Sequence, residues 1–211
     1  MNKNINKNNQ KEATKILHKN FQKILKIQKY EDISIWVGKG ETKTEIKAHK
    51  IILTSRSEFF KMFLNQEESS EIYFPNTEKT TMEWVINYIY TGKITLNENV
   101  DLVPLLLIAN HFQLDFLSSF LEMKIIQKLS KSNVCHIFHQ NDSIQSTEIN
   151  KKCLDLIDTH FSYLKKKKSF LELEEEDLDK IIQFKITKNQ NFTFPFLPND
   201  SAMDPTQNRL L

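Results

Sequence analysis

Cys135, His136 and His139 fall within Asn133-Val-Cys-His-Ile-Phe-His, a stretch with helical character. A thiolate and two imidazoles are ligands that tetrahedral zinc favours, and a fourth would have to come from elsewhere. No Cys/His pair of complementary spacing follows; the remaining cysteine is Cys153. A buried thiol beside a hydrogen-bonded structural histidine is therefore expected, and no metal site. Lys165-Lys-Lys-Lys168 offers a second chemistry, contact with phosphates or with a nuclear import receptor. It is flanked by Phe161, Leu164, Phe170 and Leu171, and followed by Glu172 and Glu174-Glu-Glu-Asp177. Local charge nearly cancels, so a solvated connector is the better reading. Signatures of catalysis are missing: there is no Gly-rich phosphate loop, no nucleophile elbow and no His-Glu-x-x-His. The carboxylates sit in surface-like runs. The expectation is a protein that is not an enzyme and needs no cofactor.

The elements that would position such residues are mostly helical. Ala13, Ile16, Leu17, Phe21, Ile24 and Leu25 recur at spacings of three and four, which predicts an amphipathic helix over 12–30. The Asn/Lys-rich residues 1–11 before it are expected to be disordered. Ile33, Ile35 and Val37 alternate with Ser34 and Trp36, as in a strand. Gly38-Lys-Gly40 turns the chain, and Thr44 to Ala48 returns as a second strand. Ser55-Arg-Ser-Glu58 and Thr80-Thr-Met-Glu83 fit capping boxes, each opening a helix. The first of these helices would turn Phe59, Phe60, Met62 and Phe63 inward; the second ends at Gly92, a natural C′ residue. Glu71 to Phe74 is a third short strand, stopped by Pro75. Val100 to Phe112 and Leu114 to Leu129 predict two helices joined at a tight corner, and helical periodicity continues beyond Ser130.

Composition narrows the class. The 211 residues carry 29 basic and 27 acidic side chains, a net charge of +2. That balance leaves no footprint for nucleic acid or an anionic membrane. Gly (3) and Pro (5) are scarce, which favours helices over a loop-rich β fold. The longest apolar run, Leu102 to Ala109, is far too short to span a bilayer. No signal peptide is evident at the N-terminus. An intracellular protein, cytoplasmic or nuclear, is expected, and the sequons at Asn141, Asn191 and Asn199 would then stay unglycosylated.

The order of these parts resembles a BTB/POZ domain. The resemblance rests on the acidic-led strand Asp32-Ile-Ser-Ile-Trp-Val, the hairpin, the corner Ala48-His-Lys50, Ser57-Glu-Phe-Phe-Lys-Met-Phe63, and Tyr88-Ile-Tyr-Thr-Gly-Lys93. Asn133-Val-Cys-His-Ile-Phe, Glu148-Ile-Asn-Lys-Lys-Cys-Leu-Asp-Leu-Ile-Asp-Thr-His-Phe and Phe170-Leu-Glu-Leu-Glu-Glu-Glu-Asp-Leu resemble the start of a BACK domain. The implied fold is α+β: a small three-stranded sheet flanked by helices, closed by a helical hairpin near Leu129, then a short all-α extension. The implied division is a BTB/POZ domain over 31–129, a partial BACK-like domain over 130–183, and an irregular Phe/Pro-rich tail over 184–211.

In this family the implied function is protein–protein interaction. Dimers place an acidic residue at the head of the first strand and a basic one after the Ala-His corner in one buried pocket; Asp32 and Lys50 match those positions. His49 of the corner is expected to be a buried structural residue, not a general base. Many family members dock the cullin-3 scaffold of ubiquitin ligases through a hydrophobic-x-Glu motif after the Met-Phe helix. Here Leu64 is followed by Asn65 and then Gln66, a departure from that motif. Leu64, Gln66, Phe112 and Leu114 are the docking candidates, with Leu64 and Phe112 as hydrophobic anchors. The resemblance therefore implies a homodimeric adaptor of cullin-3 ligases serving an unnamed protein client. The alternative it leaves is a self-association module that pairs with itself or with other BTB proteins and ignores cullin. No kelch or MATH-like reader is found, so client recognition would fall to the N-terminal helix, the BACK segment, the tail or a second subunit.

Overall fold

The computed structural model describes residues 2–27, 29–66, 69–97 and 100–188. These described residues divide into two compact units, one of those up to 129 together with 140–149, the other of 130–139 together with 150–188.

The first unit is built on three strands, β1 (Ile33–Val37), β2 (Thr44–Ala48) and β3 (Glu71–Phe74). β1 is central, antiparallel to β2 and parallel to β3, with Ile35 opposite Ile46 and Ile72. Alternation does what it predicts: Ile33, Ile35, Val37 and Ile72 are buried on one face. The other face carries Trp36 and Tyr73, stacked nearly parallel at 11° with centroids 6.3 Å apart, and Lys43 Nζ lies 4.6 and 4.8 Å from their centroids. Gly38 makes the β1–β2 turn at φ +78°; a Cβ there would sit 2.6 Å from the Thr42 carbonyl oxygen, so only glycine fits.

Helix α1 runs Asn2–Ile27. It therefore passes through residues whose composition predicts disorder. They contain no Gly or Pro to break the helix, and extending an existing helix avoids the cost of nucleating one. After the His49 corner come α2 (Lys50–Arg56) and α3 (Glu58–Gln66). The break between them overturns the first capping box. Ser55 is inside α2, its hydroxyl bonded to the Ile52 carbonyl, and Ser57 is the cap. Its Oγ accepts from the Phe60 amide at 3.3 Å and donates to the Phe112 carbonyl at 2.7 Å. Phe60 is buried as expected, but Met62 is 53% exposed and leaves the inward face.

α4 spans Lys79–Thr91 and buries Met82, Val85, Ile86, Ile89 and Tyr90. The second capping box also fails: Glu78 is the cap residue, with no side-chain bond, and Glu83 pairs with Lys79 one turn back at 3.6 Å. Gly92 closes the helix in the left-handed region at φ +67°, donating its amide to the Tyr88 carbonyl, as its sequence position predicts. α5 (Leu102–His111) is capped by Asp101, whose Oδ1 accepts from the Val103 amide. α6 (Asp115–Lys128) follows a corner at Gln113, φ +54°, and buries Leu117, Leu121 and Ile125.

The remaining helices are α7 (Val134–Ile144), α8 (Thr147–Thr159), α9 (Phe161–Leu164), α10 (Lys168–Leu171) and α11 (Glu175–Lys188). In the second unit Val134, Cys153, Ile157, Leu164, Phe170 and Ile181 form the apolar interior. An ion pair is set into it. Lys185 is 5% exposed, pairs with Asp158 and lies 4.2 Å from the Phe161 ring centroid. Lys188 reaches the other oxygen of Asp158 at 3.1 Å. α11 carries helical structure past 183, so the expected irregular tail does not begin at 184. Residues 189–211, with the Phe/Pro-rich part of that tail, lie outside the described residues.

Candidate protein-docking site

The structure brings Asp32 and Lys50 together. Antiparallel pairing of β1 with β2 returns the chain so that the Asp32 amide donates to the Ala48 carbonyl. Asp32 Oδ1 then accepts the Lys50 backbone amide at 2.7 Å. Asp32 is exposed and Lys50 half-buried in the single chain. The carboxylate thus has one role that needs no partner chain: it holds the first amide of α2.

His49, between them, is wholly engaged. Nε2 lies 2.8 Å from the Lys29 carbonyl, which only accepts, so this nitrogen carries the proton. Nδ1 then accepts from the Tyr90 hydroxyl at 2.7 Å, and the same oxygen accepts the His49 amide at 2.9 Å. Burial, with further pressure from Glu31 and Asp32, pushes the Tyr90 phenol up to about 12. Tyr90 therefore stays a neutral donor at any physiological pH. This histidine has no lone pair left for general-base work. Tyr90→Phe is expected to cost about 1–3 kcal/mol, since it strands the His49 amide and Nδ1 without partners. Urea unfolding followed by the fluorescence of Trp36 and Trp84, both in the first unit, checks it.

The docking candidates do not share a surface. Leu64 is half-buried on α3; Gln66 ends that helix, and its side chain lies outside the described residues. Phe112 is fully buried and Leu114 is 5% exposed, so neither can serve as a surface anchor. Phe112 fails because its ring fills the centre of an aromatic cluster, 5.3 Å from Phe59, 4.6 Å from Phe60 and 5.3 Å from Phe74. The exposed aromatic near that corner is Phe116, 88% exposed in the first turn of α6. Its signal is in the sequence: it stands one residue ahead of the buried series Leu117, Leu121, Ile125 and so faces away from it. A second exposed apolar surface lies on α1, where Ile16, Leu17, Ile24 and Ile27 are 40–57% exposed.

In the second unit the cysteine–histidine trio diverges. Cys135 is buried and His136 exposed, while His139 Nδ1 meets Asp177 Oδ2 at 2.7 Å. Asp177 itself is 1% exposed. Burial pushes the thiol of Cys135 up, and that of Cys153 up to about 12, which leaves both as unreactive thiols. Among the described residues no group of three or more His, Cys, Asp or Glu is placed to hold a metal. No described helix is long and apolar enough to cross a membrane. In the lysine run Lys165 is half-buried and Lys166 to Lys168 are exposed; Lys168 pairs with Glu172 at 3.2 Å, and Lys167 lies 4.6 Å from the Tyr163 centroid.

The model of the BTB/POZ domain matches residues 8–129. The chain belongs to the BTB/POZ family. The BACK model, the BTB and C-terminal kelch module, matches residues 134–186 of this BTB-BACK protein. Among relatives, Kelch repeat and BTB domain-containing protein 8 of Xenopus tropicalis is 28% identical over 158 residues, 73% of this chain and 25% of that protein. Rabankyrin-5 of Mus musculus is 26% identical over 159 residues, 75% of this chain and 13% of its own length. The solved BTB domain of human gigaxonin is 22% identical, with a TM-score of 0.43 over 52% of this chain and 87% of that one. The chain thus spans about a quarter or less of the length of the curated relatives it matches. Its α+β first unit with a three-stranded sheet, followed by an all-α segment, is the BTB-BACK arrangement that the sequence implies.

Proposed function

We propose that this BTB-BACK protein is a non-catalytic interaction scaffold that forms a homodimer and, as a dimer, engages the cullin-3 arm of a ubiquitin ligase and an unidentified protein client. The observation that carries the self-association is α1, whose Ile16, Leu17, Ile24 and Ile27 expose an apolar face that one copy of the chain leaves in water. Burying such a face against a second copy would recover about 25 cal/mol per Å² removed from solvent. Asp32 and Lys50 would lie in the same interface, as in family dimers, and the client would gain from two copies of each surface.

The cullin part rests on kinship with kelch-type BTB proteins and on exposed Phe116 and Met62. One observation favours the narrower reading, a self-association module that does not bind cullin. Gln66 stands where the docking motif has Glu, and Phe112 and Leu114 are withdrawn into the core.

Size exclusion with light scattering, alone and with the N-terminal domain of cullin 3, separates the readings. A dimer near 50 kDa, twice the 25.0 kDa chain, is expected. A two-plus-two complex supports the adaptor, and its loss in Phe116→Ala would place the contact. A dimer that ignores cullin supports the narrower module, and a monomer at micromolar concentration overturns both. Action in the cytoplasm or nucleus is part of the proposal; a secreted product would contradict it.

A further inference from the structure

The net charge of +2 conceals a local excess. Helix α1 holds seven lysines and one glutamate, leaving 22 of the 29 basic and 26 of the 27 acidic side chains to the rest of the chain. From Lys11 onward its larger side chains fall into three sectors. At about 3.6 residues per turn, Lys11, Lys15, Lys19, Lys23 and Lys26 share about one third of the circumference. Ile16, Leu17, Ile24 and Ile27 share the next, and both sets are exposed. His18, Phe21 and Leu25 are half-buried and mark the side packed on α4. The boundary between the lysine and apolar sectors, at Ile16, Lys23 and Ile27, lies on the opposite side of the helix from that packed sector. Among the described residues Lys15 pairs with Glu12 at 3.2 Å, and Lys11, Lys19, Lys23 and Lys26 have no carboxylate partner. Lysines four apart repel one another along a helix, so an anion supplied from outside would stabilise the row.

An anionic lipid surface uses both exposed sectors at once: its headgroups meet the lysines and its acyl boundary meets the apolar side chains. A nucleic acid would leave the apolar sector in water, and a second copy brings the same lysine row with it. An acidic groove that wraps a helix would need the sector that α4 already holds. A flat surface needs only the side opposite α4. We propose that α1 docks this protein on an anionic phospholipid membrane, with the lysine row at the headgroups and the apolar sector at the acyl boundary. This use goes beyond self-association and competes with it, because the same four apolar side chains cannot face a second copy and lipid together.

Co-sedimentation of the full chain with vesicles of phosphatidylcholine mixed with phosphatidylserine tests this, with pure phosphatidylcholine as the control and single-stranded DNA as a competitor. Binding to the mixed vesicles is expected, at least about tenfold tighter than to the neutral ones and weakened by salt. Each lysine near such a surface contributes about fivefold, so Lys19→Gln with Lys23→Gln should weaken binding by more than about tenfold. Ile16→Ser with Ile24→Ser should weaken it too, which a purely ionic contact would not show. All four residues are exposed, so each variant should keep the far-UV circular dichroism of the parent. Light scattering on the lysine variant should give the parent's mass, so its loss of vesicle binding is separate from self-association. Equal binding to neutral vesicles, unchanged binding in either variant, or displacement from the vesicles by DNA would each overturn the proposal.

Discussion

Replacing Phe112 by alanine is expected to destabilise the first unit by about 3–5 kcal/mol, the cost of emptying a fully packed aromatic site. The ring touches Phe59, Phe60 and Phe74, one partner from a strand and two from α3, so no single neighbour can relax into the space. Its carbonyl also receives the Ser57 hydroxyl. The backbone that accepts this bond is anchored by the ring, so loosening one weakens the other. Urea unfolding read by tryptophan fluorescence should show a lower midpoint, with a loss several-fold larger than for Leu64→Ala at the half-buried position on α3. Equal losses would mean that Phe112 is not the keystone of the cluster. The comparison also bears on docking, since a variant that unfolds the unit loses every partner at once and says nothing about contact.

The second large effect is expected at Lys185. Lys185→Ala removes the buried member of a pair whose other member, Asp158, is half-buried, and among the described residues leaves that carboxylate with exposed Lys188 as its ion-pair partner. Breaking a fully buried pair from one side costs about 3–5 kcal/mol, and the partial exposure of Asp158 with its remaining bond to Lys188 places this loss at or below the lower end. Replacing both partners together, Asp158→Leu with Lys185→Leu, should restore much of the loss, because no uncompensated charge remains. Amide hydrogen exchange in α8 and α11 is the appropriate readout, as both tryptophans lie in the first unit. Acid should mimic the single variant. The hydrogen bond from Lys185 is the largest influence holding the Asp158 carboxyl below its ordinary value of 3.8. A carboxyl depressed in the folded state adds stability that is fully present above its unfolded value and is lost as pH falls through the folded one. Protection in α8 and α11 should therefore be constant at neutral pH and collapse below about pH 4 in the parent, with little acid response in the double variant.

Much of this architecture was legible from short-range pattern. Ile33, Ile35 and Val37 announce a strand by alternation, and Gly92 announces a helix end because few other residues adopt its backbone. The corner at His49 was legible as structural, yet its partner Tyr90 lies far along the chain, and only the fold reveals the bond. The misplaced features share a cause. Ser55 and Thr80 satisfy the local capping pattern, but at the first helix Ser57 caps and also bonds the Phe112 carbonyl, and the second begins earlier, at Lys79 after Glu78, with no side-chain cap. Phe112 and Phe116 both read as apolar residues around one corner, and which of them faces water depends on how α5 and α6 pack. The Lys185–Asp158 pair gave no warning at all, because a lone lysine in an amphipathic helix is usually solvated.

The sheet's connectivity has a kinetic side. β1 and β2 are joined by the short turn 38–43, so their pairing closes a small loop and costs little chain entropy. β3 lies on the other side of β1 and runs parallel to it, which requires a crossover, here the segment 49–70 that contains α2 and α3. Its pairing closes a longer loop and gains most once those helices have docked. The hairpin can thus assemble as a local nucleus, while the β1–β3 ladder is a late, non-local event that waits on helix packing. Until β3 arrives, one edge of β1 is open to any passing strand, and the nascent chain carries that exposure during synthesis.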